Sequence, residues 1–375
     1  MTMGKVRVLQ ILRGSGSFGG VASFLVSRYA LIDREKIEFN FLFCQKDCLS
    51  DSFYNELIGR KNIFELSALK QKNTIKDYRE LYNRLVKFFE EHKYDFIHIN
   101  TGSLPVTYVC VKAANKSGMN NIIAHSHSSN YKNGILNTNI LFKPIRKYLQ
   151  YYIYKYSKYH FACSKAAAEN MFGKKEYKLI CNAIDVNKYD FDIHKRLQVR
   201  CEYGIGKEKV YGYIGRLSKS KNIDFIIKIF NCIIKSEPQA KLWIVGDGEE
   251  KEHLEILIKN YGLKNNIKLF GNRNDVDKLL QAMDAFIFPS LYEGLSLTVI
   301  EAQVSGLPVY LSNTLSIEHK ITDNIYFLSL DDTPEKWSEA IRSNKEERKS
   351  HLDEAKKAGY NLKDSVKELQ NFYLM

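Results

Sequence analysis

An apolar run ending at Gly215 is followed at once by Arg216, and Lys221 comes five residues later, just ahead of a helical pattern that starts at Ile223. Two cations at one strand-to-helix loop, with the free amides of a helix N-terminus beside them, make a clamp for a diphosphate. Without a ligand, the same two residues describe ordinary solvated surface. Further on, Glu293 lies at a glycine-containing turn, Tyr292-Glu293-Gly294-Leu295-Ser296, after the run Ala285–Pro289. Glu301 stands eight residues later, about two helical turns into an otherwise apolar segment. A carboxylate among Val299, Ile300, Ala302 and Val304 is costly if buried and unpaired. Two ribose hydroxyls satisfy it, because one carboxylate accepts both hydrogen bonds. A glutamate on the solvent face of an amphipathic helix is the plainer reading, and the apolar neighbours on several sides favour the ligand.

Other candidate groups carry less. Gly14-Ser-Gly16-Ser-Phe-Gly19 follows the first apolar run with the spacing of a dinucleotide fingerprint. That fingerprint also needs an acid at the end of the second strand, which here ends Phe43-Cys44-Gln45. The useful part is Gly19-Gly20, which opens the helix Val21–Tyr29; its amides can face a phosphate or a sugar hydroxyl, or simply form a tight turn. His125 and His127 make a His-x-His pair that reads as a metal site or as polar strand-end residues. Asp190-Phe-Asp192 spells the Asp-x-Asp of metal-using transferases, but it follows the polar Val186–Tyr189 and reads as surface. No metal and no cofactor is expected.

The elements that must position these residues alternate between strand and helix. Strands are expected at Lys5–Leu12, Glu38–Cys44, Tyr94–Asn100, Asn121–His127, His160–Cys163 and Lys178–Asn182, then at Lys209–Gly215, Lys241–Val245, Asn266–Phe270, Ala285–Pro289, Pro308–Ser312 and Ile325–Leu328. Helices fall between them: Thr74–Lys93, a segment capped by Ser164 and stopped by Gly173, Ile223–Ser236, Lys251–Tyr261, Asp275–Met283 and Ser296–Ser305. Such alternation gives an α/β protein of two doubly wound, Rossmann-like domains facing across a cleft. The expected division is 1–190, 191–355 and a C-terminal helix, 356–375, packing back toward the first domain, with the polar, weakly patterned Asp185–Arg200 at the boundary.

Composition sets limits. The chain of 375 residues is 45% hydrophobic and 26% charged, which excludes a mostly disordered protein. No apolar run approaches the ~18 residues of a membrane span, and Met1–Gly16 reads as a first strand, not a signal peptide. Seven scattered cysteines with no Cys-x-x-Cys pair fit a reducing cytoplasm. The formal charge is +13, and the first half carries all of it. Between Asp95 and Glu169 there is no acid and there are nine lysines or arginines. Phe142–Tyr159 joins Lys143, Arg146, Lys147, Lys155 and Lys158 to six tyrosines; it reads as a crossover helix whose outer face can rest on an anionic membrane surface.

Taken together, Gly19-Gly20-Val21, Ala124-His-Ser-His127, Ala162-Cys-Ser164, Asn182-Ala-Ile-Asp185, Gly215-Arg-Leu217 with Lys221, Val245-Gly-Asp-Gly248, and Glu293 with Glu301 resemble the retaining family-four glycosyltransferases of the GT-B fold. The resemblance covers nearly the whole chain. It implies that Arg216 and Lys221 hold the diphosphate of a nucleotide-sugar and that Glu301 holds its ribose. It further implies that Glu293 faces the donor sugar and that amides of Leu295, Ser296 and Leu297, beyond Gly294, meet the distal phosphate. The base packs near Gly271, Asn272 and Arg273, and His127, with His125 as alternative, contacts the sugar. Ala183 replaces a usual glycine, and Glu293-Gly-Leu-Ser296 with Glu301-Ala-Gln303 fits the members that build capsules and exopolysaccharides. The implied reaction moves a sugar, UDP-linked by expectation, to a glycan acceptor on a polyprenyl diphosphate. No candidate general base lies near the first glycine-rich loop, where Arg13, Ser15 and Ser17 stand, so retaining transfer is expected. A sugar-nucleotide epimerase of the same fold would need further carboxylates. An NAD-dependent oxidoreductase lacks its ribose acid. A nucleic-acid-binding protein leaves the paired glutamates unexplained, so no nucleic-acid partner is expected. The place implied is the cytoplasm, peripheral to the inner membrane face.

Overall fold

The computed structural model describes residues 4–14, 20–45, 62–69, 73–128, 142–344 and 346–375. Two compact units form: Met1–Ala183 together with Leu362–Met375, and Ile184–Asn361.

The first unit runs β1 (Val6–Leu12), α1 (Gly20–Leu31), β2 (Ile37–Gln45), β3 (Ile63–Leu69), α2 (Ile75–Glu91), β4 (Phe96–Thr101), α3 (Leu104–Lys116), β5 (Ile122–Ser126), α4 (Lys143–Tyr156), β6 (Tyr159–Ala162), α5 (Lys165–Phe172) and β7 (Lys178–Leu179). The strands form one sheet in the order β3-β2-β1-β4-β5-β6-β7, with every pair parallel. Residues of β4 and β5 are buried throughout, as expected of strands covered on both faces. Local chemistry sets the helix ends. The Thr74 hydroxyl and the Asp77 carboxylate satisfy each other's backbone amides at the start of α2. Ser164 accepts from the Ala167 amide at the start of α5, and Gly173, at φ 70°, ends it. Strand β3 and helix α3 are additions to the expected elements. The α3 sequence is apolar on nearly every side, so no stripe marks it as a helix.

The second unit runs α6 (Val186–Tyr189), α7 (Ile193–Glu202), β8 (Val210–Ile214), α8 (Ile223–Ile233), β9 (Lys241–Val245), α9 (Lys251–Asn260), β10 (Ile267–Leu269), α10 (Val276–Ala282), β11 (Ala285–Phe288), α11 (Leu297–Val304), β12 (Val309–Ser312), β13 (Ile325–Leu328), α12 (Pro334–Ser343) and α13 (Leu352–Lys357). Its sheet order is β10-β9-β8-β11-β12-β13, again parallel. In both sheets the order reverses beside the first strand, between β1 and β4 and between β8 and β11, where open α/β sheets take ligands at their strand C-termini.

The segment Asp185–Arg200, weakly patterned as sequence, carries α6 and most of α7. Asp192 caps α7, accepting from the amides of His194 at 2.8 Å and Lys195 at 3.2 Å, and Asp190 accepts from the Ser350 hydroxyl. Both acids of the Asp-x-Asp therefore have structural work. Behind them Arg196, Arg200 and Arg348 converge on the C-terminal carbonyls of α10. Arg196 and Arg200 also pair with Asp284. Three guanidiniums at a helix C-terminus match its negative end.

A last helix, α14 (Leu362–Tyr373), returns to the first unit. Its Val366, Leu369 and Tyr373 are buried in one cluster with Phe24, Phe39 and Phe41.

Candidate functional site

In the second unit the glycine-marked loops after β8, β9 and β10 approach closely. The Gly215 amide donates to the Val245 carbonyl, the Leu217 amide to Asp247, and the Gly246 amide to Gly271 at 2.8 Å. A Cβ on Gly246 would lie 2.0 Å from the Gly215 carbonyl oxygen, and one on Gly248 would lie 2.3 Å from that of Leu217. The Gly-Asp-Gly spacing is thus a requirement of backbone meeting backbone.

Across the β8/β11 switch point the two expected ligand loops are tied together. Leu291 donates its amide to the Ser220 carbonyl at 2.9 Å. The Lys221 ammonium pairs with the Glu293 carboxylate and stands 5.3 Å from the centre of the Phe288 ring. Burial draws Lys221 down to about 8. Arg216 is more open and pairs with Glu249 at 3.1 Å.

Helix α11 begins at Leu297, so Glu301 sits little more than one turn inside it, not two. Burial raises its carboxyl to about 7, and the Tyr189 hydroxyl is its hydrogen-bond donor. Tyr189 was not legible as a partner; α6 brings it there, fixed by the Ser305 hydroxyl donating to the Tyr189 carbonyl at 2.9 Å. The amides of Leu295–Leu297 were expected to face a phosphate. That of Ser296 instead donates to His319 Nε2 at 3.1 Å, while His319 Nδ1 donates to the Ser316 carbonyl. Burial keeps His319 neutral by lowering its pKa. Gln303 secures this arrangement, donating to the His319 carbonyl and accepting from the amides of Ile321 and Thr322. The Gln of Glu301-Ala-Gln303 thereby acquires a physical role. Arg273 is engaged by Asp275 at 2.6 Å, beside Gly271 in its left-handed turn at φ 66°.

In the first unit, Gly19 lies outside the described residues, and Gly20 starts α1. His125 is buried at 1% exposure, whereas His127 is half-buried. His127 is therefore the less buried of the two. Its Nε2 lies 3.0 Å from Asn100 Oδ1. Burial, with the nearby Arg28 charge, lowers it to about 3, so it is neutral.

On α4, Lys143, Lys147, Lys155 and, just beyond it, Lys158 are exposed, with Tyr148, Tyr151 and Tyr156 among them. Arg146 does not belong to this outer face. One helical turn from Leu149 and Gln150, it points inward, is 7% exposed and reaches Asn170. Among the described residues no helix is long and apolar enough to cross a membrane.

A family model described as "Glycosyl transferases group 1" matches residues 197–362. EpsF of Bacillus subtilis, classed as a glycosyltransferase, is 25% identical over 100% of this chain and 97% of its own. An Escherichia coli UDP-Gal:alpha-D-GlcNAc-diphosphoundecaprenol alpha-1,3-galactosyltransferase is 25% identical over 78% of this chain and 76% of its own. Among solved structures, Anabaena HepE in complex with UDP superposes with a TM-score of 0.68 at 18% identity, covering 98% of this chain and 95% of its own. The lipopolysaccharide outer core galactosyltransferase WaaB gives 0.70 at 16% identity, covering 99% and 100%.

Proposed function

We propose, for a chain that belongs to the family-four, group 1 glycosyltransferases of the GT-B fold, that it moves a sugar from a UDP-sugar to a glycan carried on a lipid diphosphate, keeping the donor's anomeric configuration, in capsule or exopolysaccharide assembly. One observation carries this reading: the Lys221–Glu293 pair across the β8/β11 switch point, with Glu301 half-buried about one turn inside α11. The UDP complexes of HepE support the donor class, and the undecaprenol-linked substrate in the name of the Escherichia coli relative supports the acceptor class.

On this reading Arg216 and Lys221 exchange their carboxylate partners for the donor diphosphate. Lys221 thereby frees Glu293 for hydroxyls of the sugar. Glu301 accepts from the ribose, the base lies against Gly271–Arg273, and His127 meets a sugar hydroxyl. The bond between the anomeric carbon and the diphosphate oxygen breaks as the acceptor oxygen bonds to that carbon on the same face. The acceptor's proton passes to the departing phosphate oxygen, whose charge the two cations stabilise. The exposed lysines and tyrosines of α4 set the first unit on an anionic leaflet beside its acceptor.

Slow hydrolysis screened over UDP-, GDP- and ADP-sugars tests the donor, with turnover expected on a UDP-sugar and retained in EDTA. NMR of early product tests the stereochemistry. Inverted product would overturn the mechanism, and turnover confined to GDP- or ADP-sugars would overturn the donor.

A further inference from the structure

The loop from Pro289 to Ser296 joins β11 to α11 and carries Glu293. Its first residues are tied to β12 and to the loop after β8. The Ser290 carbonyl accepts from the hydroxyls of Ser312 and Thr314, and the Leu291 amide donates to the Ser220 carbonyl at 2.9 Å. Beyond Leu291, among the described residues, two polar ties to other parts of the chain remain before α11 begins. One is the Glu293–Lys221 pair. The other is the Ser296 amide, 3.1 Å from His319 Nε2.

A donor affects the two ties differently. When a diphosphate takes Lys221, the first is lost just as Glu293 must be placed against the sugar. The second contains no group that meets a ligand, because His319 is 0% exposed. Its direction is fixed from outside the loop. The Ser316 carbonyl, 2.9 Å from Nδ1, can only accept, so Nδ1 carries the proton and Nε2 of the neutral ring is a lone pair. The ring's place is fixed as well. Gln303, on α11, donates to the His319 carbonyl at 2.7 Å and accepts from the amides of Ile321 and Thr322. The short turn Ile317–His319 is thus held by α11 at Gln303 and holds the start of the same helix at Ser296. Glu301 lies between these two points, and Glu293 lies just ahead of the first.

We propose that His319 is a positioning residue for the donor loop: by accepting from the Ser296 amide it keeps the end of Tyr292–Ser296 in place while Lys221 leaves Glu293 for a diphosphate, so that Glu293 and the first free amides of α11 stay aimed at the sugar and the distal phosphate. This purpose rests on the reading that a nucleotide-sugar diphosphate takes Lys221. The tether itself does not.

Two substitutions separate the ring's two hydrogen bonds. A glutamine oxygen can stand where Nε2 stands, and an asparagine nitrogen where Nδ1 stands. His319→Gln therefore keeps the acceptor for Ser296, whereas His319→Asn keeps only the donor to Ser316. Hydrogen exchange of the full chain, free and with UDP, reads the loop. Exchange around Ser296 should be at least about tenfold faster in His319→Asn than in the wild type, with the larger difference in UDP, and close to wild type in His319→Gln. Turnover is measured on whichever nucleotide-sugar the donor screen selects. In His319→Asn kcat should fall roughly tenfold with KM nearly unchanged, as lost positioning requires, and His319→Gln should restore it. Wild-type exchange in His319→Asn would overturn the proposal, and so would wild-type kcat there alongside faster exchange. Equal losses in both variants would overturn it too, by making the packing of the ring the cause. If the wild-type chain fails to bind UDP, the donor reading falls, whereas exchange of the free chain still decides whether His319 holds the loop.

Discussion

The ammonium of Lys221 and the carboxylate of Glu293, 72 residues apart in sequence, form an ion pair across the point where the second sheet reverses its strand order. Each was expected to meet a ligand separately. Paired, they hold each other in place, and on the proposed reading a diphosphate competes with Glu293 for the cation.

That competition has a proton signature. Lys221 is drawn down to about 8 by burial, and contact with a diphosphate raises it again. Above pH 8 the free protein has lost the charge, so UDP binding should take up to about one proton. Calorimetry at pH 8.5 in buffers of different ionisation enthalpy should show this uptake, and UDP affinity should fall as pH rises beyond 8. Binding heats independent of the buffer would remove Lys221 from the phosphate site.

On the proposed reading, Glu301 trades stability for binding. Its carboxyl is raised to about 7 in the fold, against 4.5 ordinarily. Between those values the unfolded chain has released a proton that the folded one keeps. Stability is thus lost as pH rises through this window and stays lower above it. Glu301→Gln should stabilise the second unit at pH 8 by about 1–3 kcal/mol while weakening UDP binding at least about tenfold. A variant that is destabilised and binds UDP normally would make Glu301 a structural residue.

Arg348 should be indispensable to folding and irrelevant to chemistry. Its guanidinium donates to the carbonyls of Leu280, Gln281, Met283 and Ser305 and lies 4.3 Å from the Phe191 ring centre. Arg348→Met removes the donor to the Ser305 carbonyl and leaves those of Gln281 and Met283 to Arg196, and should cost about 2–3 kcal/mol in denaturant unfolding. Arg348→Lys should not restore it, since an ammonium cannot reproduce a planar fork. Wild-type stability in the lysine variant would argue against the clamp.

Liposome cosedimentation tests the outer face of α4. Binding should rise with anionic lipid, fall with salt, and drop when Lys143, Lys147, Lys155 and Lys158 become Gln, at about 1 kcal/mol per lysine. Arg146→Gln should act on stability instead, because its side chain is buried. If the wild-type chain ignores anionic liposomes at low salt, the membrane reading falls.

The parallel strands and their helices were legible because short β-branched runs and capping residues such as Ser164 and Gly173 act locally. Glu293, Glu301, Arg216 and Lys221 stand out as candidates because their charge is conspicuous in apolar or turn contexts. Their partners do not. Tyr189 reaches Glu301, and His319 reaches the Ser296 amide, only once helices and loops have packed. Gln10 and Tyr373 touch across 363 residues of chain. Arg146 misled because basic residues along a helix look alike until one face is known to point inward.

Helix α14 has a consequence for synthesis. All strands of the first sheet precede residue 184, yet its core includes Val366, Leu369 and Tyr373. A ribosome adding ~5–20 residues per second must first make the whole intervening unit, a delay on the order of ten seconds or more. During that interval Phe24, Phe39 and Phe41 lack the helix that covers them. The nascent first unit therefore keeps this apolar surface uncovered until α14 arrives, and a premature stop just before Leu362 would deliver a second unit with its sheet complete and a first unit without its closing helix.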